Sequence, residues 1–339
     1  MPNGARFSMR SVLVGSLLLF SSWPLPMARG QEPSAGSDRT PATAIELCLG
    51  DGRVQVCSSS IVWAIYDFSS YAKPILYPVK GPGGIEVTRN YPMKAGVPGE
   101  ATDHEHHKSL WFAHGDVNGL DFWSEKARIA SDEVHLLDER SSGAWPGFVA
   151  SSRWLDGERP ILNEQSTLRF ADRGDVRLVD FDFVLTAVID VRFGDTKEGT
   201  FAIRTHPALQ LKREADSLPV GHAENSAGQT GSAIWGQPAE WVSYFGQIDG
   251  VEMGIAIFDH PQNLRHPTTW HARDYGLVAA NPFGLHDFLK QPKGSGNFDL
   301  PQGQQLRLRY RLAIYRGGFN NEKIKSWYGE YCQRIDQSK

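Results

Sequence analysis

The chain is poor in cysteine, with three in 339 residues. Three thiols cannot build the disulfide scaffold of a small secreted domain, so the fold has to rely on a hydrophobic core. Cys48 and Cys57 flank a Gly-Asp-Gly turn at residues 50–52. This spacing is compatible with a bridge across a hairpin in an oxidising compartment and equally with two unpaired thiols. Cys332 is then left over on a predicted C-terminal helix.

Long apolar runs are also lacking, except for one at the N-terminus. Residues 11–23 are apolar, two arginines precede them, and small residues follow at positions 28 and 30. This order predicts a signal peptide at residues 1–30, cleavage before Gln31 and an exported protein, with an uncleaved anchor as the alternative. Residues 31–43 are polar and rich in Pro, Gly and Ser, which predicts a flexible leader. No later run approaches the roughly 20 apolar residues of a spanning helix, so no stable membrane span is expected after cleavage.

Concentrated charge is absent as well. The formal net charge is −4, and no long basic block occurs. Nucleic acid is therefore not an expected partner, because phosphate binding needs a concentrated basic surface. The motifs GxGxxG, GxSxG and HExxH and the P-loop are missing too, which leaves nucleotide, esterase and zincin functions without support. The expected partner is a small-molecule or oligosaccharide substrate.

Aromatic and turn-forming residues are abundant. The chain has 10 Trp, 10 Tyr and 17 Phe beside 34 Gly and 20 Pro, a composition that suits strands joined by loops. Strand-like alternation or short apolar runs occur in residues 45–57, 177–188, 251–258 and 307–315. Residues 321–335 instead place apolar side chains on one helical face. We predict a mainly β, antiparallel β-sandwich as a single domain over residues 44–339, with a C-terminal α-helix.

Histidines concentrate in one stretch, Asp103–Trp123, which holds four of the chain's eleven. Carboxylates, an asparagine and aromatic side chains lie between them. Imidazoles and carboxylates supply proton transfer, while aromatic faces pack against a ligand. The stretch is therefore predicted to be a functional site. Its predicted catalytic residues are His106, His107, His114 and Asp116, and its predicted substrate-binding residues are Trp111, Asn118, Asp121 and Trp123.

Polar pairs two residues apart extend this predicted site, because residues i and i+2 of a strand share a face. Three such pairs occur: His114 with Asp116, Arg204 with His206, and His271 with Arg273. Such pairs are also common on solvated faces. If three strands converge, however, they form a pocket with acid/base groups and guanidinium groups for an anionic intermediate. These pairs and a second histidine-rich loop, residues 259–276, add further residues to the predicted site. His271 is added as a catalytic residue, and the added substrate-binding residues are Arg204, His206, His260, Arg265 and Arg273.

A divalent transition metal is a possible cofactor of the histidine stretch. His104 and His106 share one face of an extended segment, and the third candidate ligand is His107, with His114 or a later histidine as alternatives. The alternative is that these histidines hydrogen-bond an organic ligand or the loop backbone. The sequence leaves both open.

Four segments resemble successive blocks of one bacterial family: HHKSLWFAHGDVNGLDFW, KEGTFAIRTHPAL, GIAIFDHPQNLRHPTTWHARDYGLVAANPFG and LRLRYRLAIY. The family is uncharacterised and carries the label "methane oxygenase PmoA". The label is a misnomer for this chain, because methane monooxygenase subunits have several spanning helices. The resemblance implies a secreted β-sandwich similar to the galactose-mutarotase-like proteins and, by association, a role in carbohydrate metabolism. His206 departs from the second block, so the resemblance supports Arg204 more than His206.

These observations lead to one functional hypothesis and one rival. The hypothesis is an exported carbohydrate-active enzyme with histidine-based acid/base chemistry on a sugar or keto-sugar, of the epimerase, lyase or glycoside hydrolase type. One of His106, His107 and His114 acts as the base, Asp116 orients an imidazole, and Trp111 or Trp123 stacks on the sugar. Arg204, His271 and Arg273 bind the substrate and stabilise oxyanion charge. The rival is a non-catalytic carbohydrate-binding or surface-interaction module.

Overall fold

The structure, a computed structural model, describes residues 43–137, 144–212 and 220–336. The predicted signal peptide, and all of the predicted leader except its last residue, lie outside this part of the chain. Within the described ranges, no helix is long and apolar enough to cross a membrane.

The described residues form eighteen strands and two α-helices. In chain order the strands are β1 (Ile45–Gly50), β2 (Arg53–Ser58), β3 (Ile61–Asp67), β4 (Ile75–Val79), β5 (Leu110–His114), β6 (Arg128–Leu137), β7 (Gly147–Asp156), β8 (Arg159–Asp172), β9 (Val176–Ala187), β10 (Val191–Phe193), β11 (Gly199–Arg204), β12 (His222–Asn225), β13 (Trp241–Ile248), β14 (Val251–Asp259), β15 (Thr269–Ala272), β16 (Leu277–Asn281), β17 (Phe298–Leu300) and β18 (Gln305–Arg316). The helices are α1 (Leu285–Leu289) and α2 (Asn321–Asp336).

The strands build two large antiparallel sheets that form a sandwich. The first sheet has the order β1-β2-β3-β4-β5-β11-β16-β15, and the second has the order β12-β13-β14-β18-β9-β8-β7-β6. A small ribbon of β10 and β17 stands beside them. The predicted fold class, a mainly β antiparallel sandwich with a C-terminal helix, is confirmed.

Aromatic side chains fill the space between the two sheets. Phe183 of β9 stacks on Phe112 of β5 with ring centroids 4.0 Å apart, and Phe201 of β11 stacks on Tyr310 of β18 at 4.8 Å. Phe183 of β9 and Tyr310 of β18 lie on the inner faces of the sandwich, as the alternation of their strands predicts. Burying one such side chain stabilises the fold by roughly 1.5–3 kcal/mol.

Helix α2 covers the outer face of the second sheet, and its predicted extent of 321–335 is confirmed to within one residue. Ile324 and Tyr331 are buried in a second apolar cluster with residues of β9, β13, β14 and β18. Arg311 points to the same outer face, but it is fully buried and donates two hydrogen bonds to Asp180. The outward arginine of the predicted strand is therefore enclosed beside the helix.

The cysteines of the first hairpin are not joined. Cys48 lies opposite Gln55, and Cys57 lies opposite Glu46, so the two thiols are not a directly facing pair. Cys48 is exposed, Cys57 is buried, and neither is in a disulfide. Cys332 lies on α2 and is partly exposed.

The register of the first sheet determines where the predicted site residues meet. Leu110 at the start of β5 lies opposite Ile203, and Arg204 at the end of β11 lies opposite Leu277 at the start of β16. The loop before β5, the end of β11 and the turn between β15 and β16 therefore meet at one end of the sheet. We call this the site end.

Candidate functional site

Arg89 holds the loop that carries the histidines, residues 103–109. Its side chain is fully buried, and it donates to the carbonyl oxygens of Asp103 (2.9 Å) and His104 (2.9 Å). A further bond, of 2.7 Å, reaches Oδ1 of Asp103. A planar guanidinium supplies this fan of donors, which an ammonium group cannot match. The buried side chain of Arg89 therefore fixes the backbone of the loop from the protein interior.

Lys73 supports the same loop from its other side. Its Nζ is buried and donates to the carbonyl oxygens of His106 (3.1 Å) and Trp123 (3.2 Å) and to Oε1 of Glu125 (2.6 Å). Lys108 pairs with the second oxygen of Glu125. Burial lowers the pKa of Lys73 to about 8, although the charge of Glu125 opposes the shift.

The imidazoles of the loop form a stack at the site end. His107 is buried and lies on Trp111, with centroids 5.3 Å apart. His104 lies on His107 at 4.7 Å with an interplanar angle of 11°, and Tyr275 lies against His104 at 5.3 Å. His106 meets His107 edge-on at 4.5 Å.

This stack bears on the metal prediction for His104, His106 and His107. Nitrogen lone pairs lie in the ring plane, so the nearly parallel rings of His104 and His107 do not aim them at one point. Among the residues that the structure describes, no group of three or more His, Cys, Asp or Glu is arranged to hold a metal ion. The geometry does not support these three side chains as a ligand set.

Asp103 and His104 form a carboxylate–imidazole dyad. Nδ1 of His104 donates to Oδ2 of Asp103 at 2.7 Å, while Oδ1 accepts from Arg89 and, at 3.1 Å, from Arg204. Burial raises the pKa of Asp103, but the charge of Arg204 and the bond from His104 outweigh it, and the net pKa is lowered. The carboxylate therefore stays ionised and accepts the Nδ1 proton of His104, which selects the tautomer whose Nε2 carries the lone pair, as a general base requires.

His104 is accessible as well as oriented. Its side chain is 41% exposed. Its Nε2 has no hydrogen-bond partner among the residues that the structure describes. Its backbone adopts φ of 44°, in the left-handed region that few residues with side chains occupy. Such conformations cluster at functional sites.

A row of aromatic and basic side chains, buried at Arg204 and His271 and partly exposed at Arg273, Tyr275 and Trp235, continues from this dyad across the site end. The guanidinium carbon of Arg204 lies 4.5 Å from the ring centroid of Tyr275, and that of Arg273 lies 5.4 Å from it. Arg273 also lies 4.9 Å from the ring of Trp235, which meets His271 edge-on at 4.7 Å. Of the three strand pairs predicted to converge, Arg204, His271 and Arg273 lie in this row beside the histidine loop, whereas His114, Asp116 and His206 do not take part in it.

The imidazoles of this row are held neutral. Burial, followed by the charge of Lys73, lowers the pKa of His106 to about 4. Burial lowers the pKa of His271 to about 3, and that of His107 falls well below its usual value for the same reason. Nδ1 of His271 donates to the carbonyl of Lys197 at 2.9 Å, which leaves Nε2 as an acceptor. Near neutral pH these imidazoles therefore accept hydrogen bonds without becoming protonated.

His114 and Asp116 lie apart from this row. His114 is fully buried between Phe193 and Phe283, and its Nε2 donates to the carbonyl of Gly194 at 2.9 Å. Asp116 accepts from the backbone of Gly119 and makes no hydrogen bond to His114. The orienting carboxylate is therefore Asp103, and the prediction that Asp116 orients an imidazole is not supported.

Five other predicted substrate-binding residues have structural partners instead. Asn118 bridges to Asp190 and Arg192, and Asp121 accepts from Ser124 inside a turn. His206 accepts from Ala208 at the start of a short turn, His260 accepts from Gln262, and Arg265 donates to the carbonyl oxygens of Pro282, Gly296 and Asn297.

Trp111 and Trp123 are buried beneath His107, so neither presents a face to a ligand.

Several residues of the candidate site had no predicted role. Asp103 and Tyr275 carried a usable signal, because one adjoins His104 and the other follows Arg273 at i+2. Trp235 carried none, since it lies in a separate turn. Arg89 and Lys73 are isolated in the sequence and reach the loop only through tertiary packing.

The chain belongs to a family of unknown function, DUF6807, whose sequence model matches residues 62–328. The search of curated proteins finds no match. The family description carries no activity.

Several solved structures show a distant likeness. An α-galactosidase from Lactobacillus brevis is 12% identical with a TM-score of 0.34, and the match covers 82% of this chain but 40% of that one. A galactose mutarotase related enzyme from Lactobacillus acidophilus is 8% identical, with coverages of 81% and 98% and a TM-score of 0.30. A galactose mutarotase-like protein from Clostridium acetobutylicum is 7% identical, with coverages of 81% and 99% and a TM-score of 0.32. At these scores the likeness carries no inference about activity.

Proposed function

We propose that the protein is an exported carbohydrate-active enzyme in which His104 is the general base and Asp103 its orienting partner. The observation that carries the proposal is the dyad itself. It combines a 2.7 Å hydrogen bond, a carboxylate fixed by two buried guanidinium groups and an accessible Nε2. A purely structural histidine has no need of this exposure.

The row beside the dyad supplies the other groups that acid/base chemistry requires. Nε2 of His104 removes a proton from a hydroxyl group, or from a carbon next to a carbonyl, and Asp103 stabilises the imidazolium that forms. Arg273 lies where it can bind an oxygen atom that gains negative charge, and Nε2 of the neutral His271 can accept a hydrogen bond from a hydroxyl group. Arg204 is fully buried, so its role is to position Asp103 through a hydrogen bond.

A sugar or keto-sugar is the substrate class that we propose. Half-exposed aromatic planes beside guanidinium and imidazole groups suit a polyhydroxylated ring, which presents apolar faces and polar edges. Tyr275 and Trp235 take the stacking role that the sequence analysis gave to Trp111 and Trp123. Epimerisation, elimination and glycoside hydrolysis all use such a base, and the experiment distinguishes them.

The test is proton NMR of the purified protein in D₂O with a panel of aldoses, ketoses, uronic acids and their methyl glycosides. Deuterium incorporation, a new epimer, an unsaturated product or a released aglycone identifies the reaction. We expect His104→Ala to lower the rate by about 10²–10⁴-fold, the usual contribution of a general base. His135→Ala is the matched control, because His135 is exposed and pairs with a carboxylate, Glu133, on β6.

The rival function gives a different result in the same experiment. A carbohydrate-binding module produces saturable line broadening of a sugar without any product, and its affinity stays flat from about pH 5 to 8, where histidine titrates. That outcome, or equal rates in His104→Ala and the wild type, would contradict the proposal.

A further inference from the structure

Arg273 is charged, partly exposed and unoccupied by protein partners. Its guanidinium lies over the rings of Trp235 and Tyr275 and makes no hydrogen bond or ion pair to any residue that the structure describes. The other arginines around the loop differ in this respect, since Arg89 and Arg204 both bond to Asp103. Stacking fixes the plane of Arg273 and leaves its N–H donors for a ligand.

Three cationic side chains lie around the ring of Tyr275. Arg204, Arg273 and Lys212 lie 4.5, 5.4 and 5.8 Å from its ring centroid. Asp103 is already engaged by two guanidinium groups and His104. Glu198, the next carboxylate to influence Tyr275, pairs with Lys197. An anionic group bound at Arg273 would interact favourably with these cations.

We propose that the substrate is an anionic sugar, whose carboxylate or phosphate group is bound by Arg273. The inference rests on the proposed function and names the substrate class of that site. A planar guanidinium binds two oxygen atoms of such a group at once, which adds specificity as well as affinity. The neutral imidazoles of the row accept hydrogen bonds from the hydroxyl groups without competing for the anion.

Base and anion site lie within reach of one monosaccharide. The ring of His104 and the guanidinium carbon of Arg273 lie 5.3 Å and 5.4 Å from the centroid of the same ring, Tyr275. A sugar held at its anionic end by Arg273 can therefore reach the exposed edge of His104 beside Tyr275. The proton that is removed belongs to a carbon or hydroxyl group away from the anionic end.

The experiment is isothermal titration calorimetry with matched ligands. D-Galacturonate is compared with D-galactose, and D-glucuronate is compared with D-glucose. D-Glucose 6-phosphate is compared with both D-glucose and D-glucuronate. We expect at least one anionic sugar to bind tenfold or more tightly than its neutral counterpart. This preference disappears in Arg273→Met and persists in Arg159→Met, a control at an exposed arginine that begins β8 in the second sheet. The tighter of the uronate and the phosphate identifies the anionic group.

A second measurement decides the case in which none of these sugars binds. The Nε–Hε resonance of Arg273 is followed by NMR during titration with acetate and with inorganic phosphate, and that of Arg159 serves as the reference. A saturable shift confined to Arg273 supports the inference. Equal binding of neutral and anionic sugars, an unchanged preference in Arg273→Met, or equal shifts at both arginines would overturn it. Loss of activity in His104→Ala on a neutral sugar would leave the proposed function standing while the anionic substrate failed.

Discussion

At the scale of single residues, the geometry of the site depends on Asp103. Its two oxygen atoms join His104 to Arg89 and Arg204, so one carboxylate connects the exposed base with the buried charges. It is also the residue that the sequence analysis passed over in favour of Asp116. Both aspartates are close to histidines along the chain, and only the path of the loop decides which one faces an imidazole.

Substitution of this carboxylate separates orientation from charge. In Asp103→Asn the amide keeps the size of the side chain but no longer stabilises an imidazolium or fixes the tautomer of His104. We expect the rate on the identified substrate to fall by about 10–10³-fold, less than or equal to the loss in His104→Ala. Asp132→Asn, which breaks an exposed pair with Arg153 in the second sheet, should leave kcat and KM unchanged. A full-rate Asp103→Asn enzyme would remove Asp103 from the mechanism.

At the scale of elements, the loop of residues 103–109 is ordered by two cations that come from other segments. Arg89 follows β4 and Lys73 precedes it, and neither is close to the loop along the chain. The local sequence predicts a site here, but it does not predict its supports. Strands and the last helix were predictable because their signal is local alternation. The pairing of β5 with β11 and of β11 with β16 brings together residues almost 90 and more than 70 positions apart, which no local pattern encodes.

Removal of one support should release the loop while the sandwich stays folded. In Arg89→Met the carbonyl oxygens of Asp103 and His104 lose their buried donor. We expect hydrogen exchange of the amides of residues 104–108 to accelerate by at least tenfold, because the loop backbone loses the buried guanidinium that holds it. Arg89→Lys should restore little, since one ammonium cannot reach all the acceptors.

The control for this experiment is Arg53→Met, which removes a half-exposed arginine paired with Asp67 elsewhere in the first sheet. Exchange at residues 104–108 should not change in that variant. Slow exchange of the loop in Arg89→Met would show that Arg89 does not order it.

Helix α2 stabilises the second sheet through its apolar face. Ile324 is almost completely buried against that sheet. Ile324→Ala should lower the free energy of unfolding by about 2–4 kcal/mol, through lost burial and the cavity left behind. Urea unfolding followed by circular dichroism measures the change. Lys323→Ala at an exposed position of the same helix should alter it by less than about 0.5 kcal/mol, and equal effects would show that α2 is not docked.

At the scale of the whole molecule, buried neutral histidines couple folding to pH. Burial lowers the pKa of His114 and of His106 to about 4 and that of His271 to about 3. The unfolded chain binds these protons near pH 6.5, whereas the folded protein does not bind them until the pH is much lower. Stability is therefore fully present above about pH 6.5 and is lost as the pH falls towards 4.

The fully buried His114 gives the clearest test of this coupling. Its contribution to the loss by pH 4 is about 3 kcal/mol, from the difference between pKa values of 6.5 and about 4. His114→Gln should flatten the dependence of the free energy of unfolding on pH between 7 and 4.5, whatever its effect at neutral pH. The exposed His135→Gln should keep the wild-type slope. Urea titrations at several pH values measure both, and an unchanged slope in His114→Gln would contradict the account.

The whole arrangement, a sandwich whose site end presents an oriented histidine, is tested most directly by chemical rescue. His104→Ala is assayed for deuterium incorporation in D₂O with and without added imidazole. We predict that imidazole restores the rate in a saturable manner, because the half-exposed position of His104 admits a free base. His107→Ala should gain nothing, since that ring is buried on Trp111. Wild-type rates in His104→Ala, or no response to imidazole in a folded and inactive His104→Ala protein, would contradict the assignment of His104 as the base.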